Sequence, residues 1–522
     1  MEKINKFMND SQTYDEFNND IDKKLKEEDF LGALKICGEA QKIFPDKFDF
    51  KFMSGICHKS LDDDEKAKKL LLESIELEPR FLPAYDIITD ILTNQAETID
   101  INYAYIAIEL LDKALEIQPD NKEIIYKMAL MNLNLANYSD AIRDFETLNK
   151  LDPQDALYIT KLAQAYSRSG NAEKSIELIN DYHKDNPERL ELISQLAVAK
   201  HSKEEFKEAR EIYNKLLQSP ELDEANEFRF AVVNNYCESL RMETDKKYHE
   251  EYLSLVEENL LYFPNSDVLQ KAFLTANILC ENKEVFKKED IFLNNMFPLD
   301  REVASLNLYL SNRYDEVETS DFCPNVFDCV INYNLSDYSE KHDELIEKAI
   351  ISIKNQKLVY DQPFKTDINA HRTEYDLCKL GDKAINDIMS LVEAASNDYE
   401  KEIKLKNEGL FAKNWPKKTN IKSWSMIANK ESFHVKHNHC EAWYSGVLYL
   451  KMPNNLSNDD GSIVFTSSGY NFPISNKDKE IIINPKEGDI VFFPSHLYHY
   501  TKPFKDNGER ICLPFNICPV NI

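Results

Sequence analysis

Glycine is scarce in this sequence. Only 11 of the 522 residues are glycine, whereas soluble proteins average roughly 7%. Six of the 11 follow residue 400, so the long front of the chain contains five. Because glycine interrupts helices and serves tight turns, a glycine-poor stretch is typical of helices and a glycine-bearing one of strands and turns. At this length one core is not expected, and the composition predicts an α+β multidomain protein.

Long hydrophobic runs are also missing. No apolar segment in the sequence reaches the roughly 20 residues that cross a membrane. The first residues, MEKINKFMNDSQTYDEF, contain no apolar core of a secretory signal. The ten cysteines are scattered and form no CxxC pair, which argues against a disulfide scaffold. These absences predict a cytoplasmic protein with reduced thiols and no membrane partner.

Positive charge is in short supply as well. The chain has 63 basic and 92 acidic residues and a net charge of −29. This balance argues against binding the phosphate backbone of nucleic acids or an anionic membrane surface. It favours a soluble protein whose partner, if any, is neutral or basic.

Prolines recur at a nearly constant distance in the front of the chain. Each ends an amphipathic segment, and their spacings are 34, 40, 34 and 34 residues, at Pro45, Pro79, Pro119, Pro153 and Pro187. Twelve residues before each stands a small residue that lets paired helices approach closely: Ala33, Ala67, Ala107, Ala141 and Ser175. This period is typical of tetratricopeptide repeats. We therefore predict a helical solenoid over residues 14–285, with a groove for an extended peptide or another protein.

The chain after the repeats changes character. Residues 286–320 look helical and are predicted to form a cap or linker. Residues 321–522 are predicted to form a β domain with supporting amphipathic helices. About eight short strands with Pro, Gly, Asn and Asp turns, all after residue 420, indicate a jelly roll, the cupin-like double-stranded β-helix.

Histidines within this β domain are spaced like metal ligands. His437 and His439 are two residues apart, so on a strand both side chains leave the same face. The same parity continues through Glu441 to Tyr449. A third ligand from another strand completes such a site, and His499 is the natural candidate.

The motifs around these histidines resemble the Fe(II)- and 2-oxoglutarate-dependent oxygenases, in particular a subgroup with tetratricopeptide repeats in front. The matching residues are His437, His439, Trp443, Ser445 and Gly446, then Phe493, Pro494, Ser495, His499, Thr501, Pro503 and Phe504, then Arg510, Phe515 and Asn516. The last 100 residues or so carry the resemblance. It implies an Fe(II)-binding dioxygenase that uses 2-oxoglutarate as cosubstrate to hydroxylate a substrate.

The resemblance also implies roles for single residues. The metal ligands would be His437, His439 and His499. Glu441 is an alternative that restores the carboxylate usual in these enzymes, with His439 and His499. Arg510 would bind the distal carboxylate of 2-oxoglutarate, and Tyr449 would contact the same carboxylate. Cys512 stands where the family has Ser or Thr. A thiol is a poorer hydrogen-bond donor than a hydroxyl.

Two other functions remain open from the sequence. One is a cupin-type metal enzyme that uses the same histidines without 2-oxoglutarate, which an outward-pointing Arg510 would favour. The other is a non-catalytic repeat scaffold with a degenerate barrel, which an empty metal site would favour.

Overall fold

The chain forms two compact units. The computed structural model describes residues 2–98, 102–186, 188–222, 227–360, 366–373, 376–457 and 459–520. Pro187, the fifth proline of the predicted repeat, lies outside the described residues. The first unit consists mainly of residues 1–135 and 140–153, and the second of residues 136–139 and 154–520. The three-part division at 14–285, 286–320 and 321–522 stays a prediction.

Helices occupy the front of the chain, and further helices lie among the strands of the β domain. Their bounds are α1 Glu2–Lys26, α2 Phe30–Ile43, α3 Phe48–Ser60, α4 Asp64–Leu77, α5 Leu82–Thr98, α6 Asn102–Ile117, α7 Lys122–Asn134, α8 Tyr138–Leu151, α9 Ala156–Arg168, α10 Ala172–Asp185, α11 Leu190–Ser202, α12 Phe206–Leu217, α13 Glu227–Arg241, α14 Lys246–Leu260, α15 Asp267–Leu279, α16 Lys283–Met296, α17 Arg301–Arg313, α18 His342–Lys354, α19 Lys383–Lys406 and α20 Leu410–Lys413. In the first unit, consecutive helices pack against each other in the series from α1 to α7. In the second unit, consecutive helices pack against each other in the series from α9 to α17. Where the structure describes the chain, none of the helices has the length and apolar character needed to cross a bilayer.

The repeat period determines where these helices end. Helices α2, α4, α6 and α8 each end two residues before one of the prolines Pro45, Pro79, Pro119 and Pro153. Proline disfavours helical conformation in the residue before it, which explains the common end point. The small residues twelve positions earlier are all fully buried against neighbouring helices: Ala33, Ala67, Ala107, Ala141 and Ser175. The predicted succession of paired helices is confirmed.

The β domain consists of two antiparallel sheets. Its strands are β1 Ile331–Asn334, β2 Leu358–Tyr360, β3 Asp367–Thr373, β4 Thr419–Ser423, β5 Met426–His434, β6 Tyr444–Lys451, β7 Ile463–Thr466, β8 Glu480–Ile483, β9 Asp489–Pro494, β10 Tyr498–Thr501 and β11 Arg510–Pro519. The larger sheet has the order β1-β9-β6-β11-β5-β3-β2, with β4 also paired to β11, and the smaller has the order β10-β7-β8. The predicted fold class, helical repeats followed by an antiparallel β domain with supporting helices, is confirmed.

Two strand predictions differ from the structure. The sequence pattern over residues 421–429 predicts one strand, but β4 and β5 are separate there and pair with different halves of β11. Strands β2 and β3 were not predicted. In β3, Asn369 has φ +57°, and the pairing with β5 shifts register between Ile368 and Ala370. This bulge interrupts the alternation that would have indicated a strand.

Helices α18 and α19, predicted as amphipathic supports, pack together and cover the larger sheet. Tyr399 of α19 is fully buried, and its ring stacks on Phe492 of β9 with the centroids 5.0 Å apart. Its hydroxyl donates to the Cys329 carbonyl oxygen at 2.9 Å. This aromatic contact packs α19 against β9, the strand that precedes the predicted ligand His499.

Asp290 of α16 is a buried carboxylate that accepts hydrogen bonds from two side-chain amides. It is 2% exposed and accepts from Asn307 Nδ2 at 2.9 Å and from Asn294 Nδ2 at 3.1 Å. Burial raises its pKa from 3.8 to about 6. A raised carboxyl pKa means that the folded state favours the protonated form, so this stability contribution is complete below about pH 4 and is lost as the pH rises through about 6.

We therefore expect Asp290→Asn to gain stability relative to the wild type between pH 4 and 7, by up to roughly 3 kcal/mol. The measurement is urea unfolding followed by far-UV circular dichroism across this pH range. Asp315→Asn is the control, because the Asp315 side chain is 93% exposed. A difference curve that stays flat for Asp290→Asn would contradict the prediction.

Candidate metal centre

A cavity of about 380 Å³ opens in the β domain. Its wall takes side chains from both sheets, including Val447 of β6, Ile463 of β7 and Phe493 of β9. These three residues are buried and apolar. The same cavity contains all six residues that the sequence singled out for metal or cosubstrate binding: His437, His439, Glu441, Tyr449, His499 and Arg510.

Three histidines converge on one point of this cavity. One ring nitrogen from each of His437, His439 and His499 lies within 4.8 Å of the other two. The ring centroids are 4.3 Å apart for His437 and His499, 4.9 Å for His437 and His439, and 5.2 Å for His439 and His499. No other group of His, Cys, Asp or Glu side chains in the part of the chain that the structure describes is arranged to hold a metal ion.

Backbone hydrogen bonds join the two segments that carry the histidines. The His437 N–H donates to the His499 carbonyl at 3.0 Å, and the His499 N–H donates to the His437 carbonyl at 2.8 Å. The His439 N–H donates to the Ser495 carbonyl at 2.8 Å. These bonds join the loop after β5 to β10 and to the turn before it, so main-chain pairing sets the ligand positions.

Helix α17 holds the same loop from its other side. Arg301 Nε donates to the Cys440 carbonyl oxygen at 2.9 Å. Asn438 Nδ2 donates to the Ser305 hydroxyl at 3.0 Å. Residues on both sides of His439 are therefore bonded to one helix.

The tautomers of His437 and His499 follow from their backbone contacts. Nδ1 of His437 lies 2.7 Å from the Val435 carbonyl oxygen, and Nδ1 of His499 lies 3.2 Å from the Leu497 carbonyl oxygen. A carbonyl oxygen only accepts, so each Nδ1 carries the proton. The lone pair is then on Nε2, the nitrogen available to a metal ion.

Burial keeps the same two rings neutral. Loss of solvation, followed by the neighbouring His439, lowers the pKa of His437 to about 3. The pKa of His499 is lowered well below its usual range, first by burial and then by the neighbouring His437 and His439 rings. Neutral imidazole is the form that binds metals, so no proton competes for these nitrogens at neutral pH.

Glu441 is not part of the three-histidine group. The strand parity predicted for His437 through Tyr449 is broken by a turn, in which the Ala442 N–H donates to the His439 carbonyl at 2.9 Å. Trp443 consequently faces away from the cavity and stacks on Phe411, with the ring centroids 5.7 Å apart. Parity resumes in β6, where Val447 and Tyr449 line the cavity as predicted.

Arg510 is buried in the cavity wall without an acidic partner. It is 1% exposed. Its Nη1 donates to the Gly461 carbonyl at 3.2 Å and its Nη2 donates to the Thr501 hydroxyl at 3.4 Å. Its Nε has no hydrogen-bond partner, and no carboxylate of the described ranges forms an ion pair with it. A buried guanidinium without a counter-ion is costly, which makes it a candidate anion site.

Tyr449 and Cys512 line the cavity with Arg510. Burial raises the pKa of the Tyr449 phenol above its usual range, although the nearby Arg510 opposes the shift. Burial also raises the pKa of the Cys512 thiol to about 11. Both groups therefore keep their protons and can act as hydrogen-bond donors, the thiol weakly.

The residues of one wall of the cavity were not predicted from the sequence. Arg372 of β3 donates from Nη1 to Asp367 Oδ2 at 3.0 Å, and its guanidinium carbon lies 5.2 Å from the centre of the Trp424 ring. His434 Nε2 lies 3.5 Å from Asp367 Oδ1. Trp424 itself lines the cavity. These residues could have been found by predicting β3 as a strand. The bulge at Asn369 interrupts the sequence alternation that would indicate this strand.

The residues present fit a divalent transition metal. Three imidazoles from two chain segments form a compact set, and His437 and His499 have the proton fixed on Nδ1, which leaves Nε2 free to bind a metal. Imidazole suits Fe, Zn, Cu and Ni. The chemistry of the donor set thus agrees with iron, and the unpaired Arg510 offers a place for an anion in the same cavity.

The chain was compared with known protein families and structures. Residues 422–516 match the profile of a family described as "Putative 2OG-Fe(II) oxygenase". No curated protein matches the sequence of the chain.

Among solved structures, a tetratricopeptide repeat protein from Parabacteroides merdae is 14% identical, with a TM-score of 0.40, over 50% of this chain and 96% of that chain. MamA from Desulfovibrio magneticus is 16% identical, with a TM-score of 0.29, over 34% of this chain and 97% of that chain. These TM-scores are too low to support an argument about the fold, so the helical architecture is taken from the helices of this structure. The chain joins an N-terminal region of helical repeats to a C-terminal region, residues 422–516, that matches the 2OG-Fe(II) oxygenase family.

Proposed function

We propose that the protein is an Fe(II)- and 2-oxoglutarate-dependent dioxygenase that hydroxylates a peptide or protein bound by its helical repeats. The observation that carries the proposal is the unpaired Arg510 in the same cavity as the three histidines. A metal site alone would suit many enzymes. A buried arginine beside it, without a counter-ion of its own, suits a cosubstrate with a second carboxylate.

The chain's residues have distinct tasks in this proposal. His437, His439 and His499 hold the metal. Arg510 binds the distal carboxylate of 2-oxoglutarate in a bidentate manner, and the Tyr449 phenol donates a hydrogen bond to the same group. Apolar walls exclude water from the reacting atoms.

Bound Fe(II) supplies the oxidation of a substrate C–H bond by dioxygen, coupled to the conversion of 2-oxoglutarate to succinate and CO₂. The protein contributes the orientation of the cosubstrate through Arg510. It also keeps His437 and His499 neutral by burying them, so that protonation does not compete with metal binding at these two rings.

The repeats are proposed to deliver the substrate. Stacked helix pairs present a continuous groove that commonly accommodates an extended peptide. The net charge of −29 favours a neutral or basic segment over an acidic one. A cytoplasmic location, in which the cysteines stay reduced, remains part of the proposal.

A second candidate is a metal enzyme that does not use 2-oxoglutarate. It is favoured by the absence of a carboxylate from the only ligand group found in the described ranges, because two histidines and one carboxylate are the common set in Fe(II) oxygenases. This candidate leaves Arg510 without a ligand to bind, which is why we rank it second.

The test separates the candidates under anaerobic conditions. Purified protein is loaded with Fe(II), 2-oxoglutarate is titrated in, and the visible charge-transfer band of the iron chelate is recorded, with succinate as the control ligand. We expect a saturable band with 2-oxoglutarate and none with succinate. Iron binding without a band would favour the second candidate. Failure to bind iron would contradict both enzyme candidates and favour a non-catalytic repeat scaffold.

A further inference from the structure

The three histidines differ in how their second ring nitrogen is held. His437 and His499 each present Nδ1 to the carbonyl oxygen two residues earlier. For His439 the equivalent carbonyl belongs to His437, and it already accepts the His499 N–H at 2.8 Å. In the part of the chain that the structure describes, the charged neighbour of His439 Nδ1 is a side chain, Glu441.

The acceptor beside His439 is Glu441. Its Oε1 lies 3.8 Å from His439 Nδ1. Glu441 is absent from the group of side chains close enough to hold one metal ion with His437 and His499. The carboxylate thus lies beside Nδ1 of the His439 ring without joining the three-histidine group.

A buried relay orients this carboxylate. Asn516 Nδ2 donates to Glu441 Oε1 at 2.8 Å, and the Ser445 hydroxyl donates to Asn516 Oδ1 at 2.8 Å. Ser445 and Asn516 face each other in the β6–β11 pairing and are both buried. The Glu441 side chain is 64% exposed, so its position is determined by this anchor and not by packing.

We infer that Glu441 is a positioning residue and not a metal ligand: its carboxylate, 3.8 Å from Nδ1 of His439, favours the proton on that nitrogen by its negative charge and leaves Nε2 for the metal. The inference rests on the proposed metal site. The turn from His439 to Ala442 brings the carboxylate back beside the ring. Its negative charge makes the imidazole a more basic ligand, which donates its Nε2 electron pair to a metal more strongly. Carboxylates that contact metal-bound histidines have this effect.

Metal affinity is the first measurement. Anaerobic Co(II) titration of the full chain, followed by the d–d absorption of the bound ion, compares the wild type with Glu441→Gln and Glu441→Ala. We expect both variants to bind Co(II) about 10- to 100-fold more weakly, the usual effect of removing such a partner. Glu480→Gln is the matched control, since Glu480 lies on β8 and hydrogen-bonds Tyr500 outside the cavity, and its affinity should equal that of the wild type.

The tautomer of His439 is the second measurement, because a merely structural role would not change it. Long-range ¹H–¹⁵N spectra of Zn(II)-loaded, ¹⁵N-histidine-labelled protein report which ring nitrogen carries the proton. We expect His439 to carry it on Nδ1 in the wild type and to lose this preference in Glu441→Ala.

The outcomes separate this inference from the proposed function. Wild-type protein that binds neither Co(II) nor Zn(II) would overturn both. Normal metal binding by the wild type and equally tight binding by both Glu441 variants would overturn the inference alone. A Zn(II)-bound His439 without a proton on Nδ1 would also overturn it, because the metal would then occupy the nitrogen beside Glu441.

Discussion

Replacing His499 with alanine is expected to abolish metal binding, with the Co(II) affinity falling by more than about 100-fold, because even the outer partners of metal ligands contribute 10- to 100-fold. His499 supplies one of the three converging nitrogens, and its backbone pairs with His437 across the bridge that sets the site. The alanine keeps this main-chain pairing and removes only the ring. The measurement is the anaerobic Co(II) titration.

His496→Leu is the matched control for this variant. His496 is buried three positions earlier, with its ring edge-on to Phe322 at 5.1 Å between centroids, and it does not line the cavity. We expect its Co(II) affinity to equal that of the wild type. Retained affinity in His499→Ala, or an equal loss in both variants, would contradict the assignment of His499 as a ligand.

Replacing Arg510 with glutamine is expected to weaken 2-oxoglutarate binding by about 30- to 5,000-fold, the equivalent of 2–5 kcal/mol for losing one partner of a buried charge pair. Metal affinity should stay unchanged, since the hydrogen bonds that Arg510 makes within the described ranges go to Gly461 and Thr501 and not to a histidine. The measurement is the titration of Fe(II)-loaded protein, with the chelate band as readout.

Arg372→Lys is the comparison for Arg510. Both arginines line the cavity, but Arg372 already donates to Asp367. A lysine keeps the charge beside that buried carboxylate. We expect a much smaller change in 2-oxoglutarate affinity than in Arg510→Gln. If Arg510→Gln bound 2-oxoglutarate as tightly as the wild type, the cosubstrate role of Arg510 would be refuted.

The helical repeats could be predicted because local rules govern them. A proline ends each helix at a fixed distance, and a small residue marks each close helix contact, so one repeat reveals the rest. The strands after residue 440 were predictable for a similar reason, since their apolar runs are bounded by turn residues. Strand β3 escaped because the positive φ of Asn369 breaks its alternation.

The candidate site was predictable in its ligands but not in its surroundings. The spacing of His437 and His439, with His499 in a second motif, was sufficient to propose the cluster. The turn after His439 could not be seen, because strand parity assumes that the strand continues. The contacts of Arg372 and of helix α17 join residues far apart in sequence, and no local pattern encodes such pairs.

The bonds from α17 to the metal-binding loop have a thermodynamic consequence. Arg301 and Ser305 lie on the same helix that packs against α16, and they bond the residues that flank His439. Any ligand that binds the helices and prefers one position of α17 changes the affinity of the loop for its metal. Reciprocity then requires that the metal change the affinity for that ligand by the same factor. The binding of such a ligand and the binding of a metal are then linked equilibria.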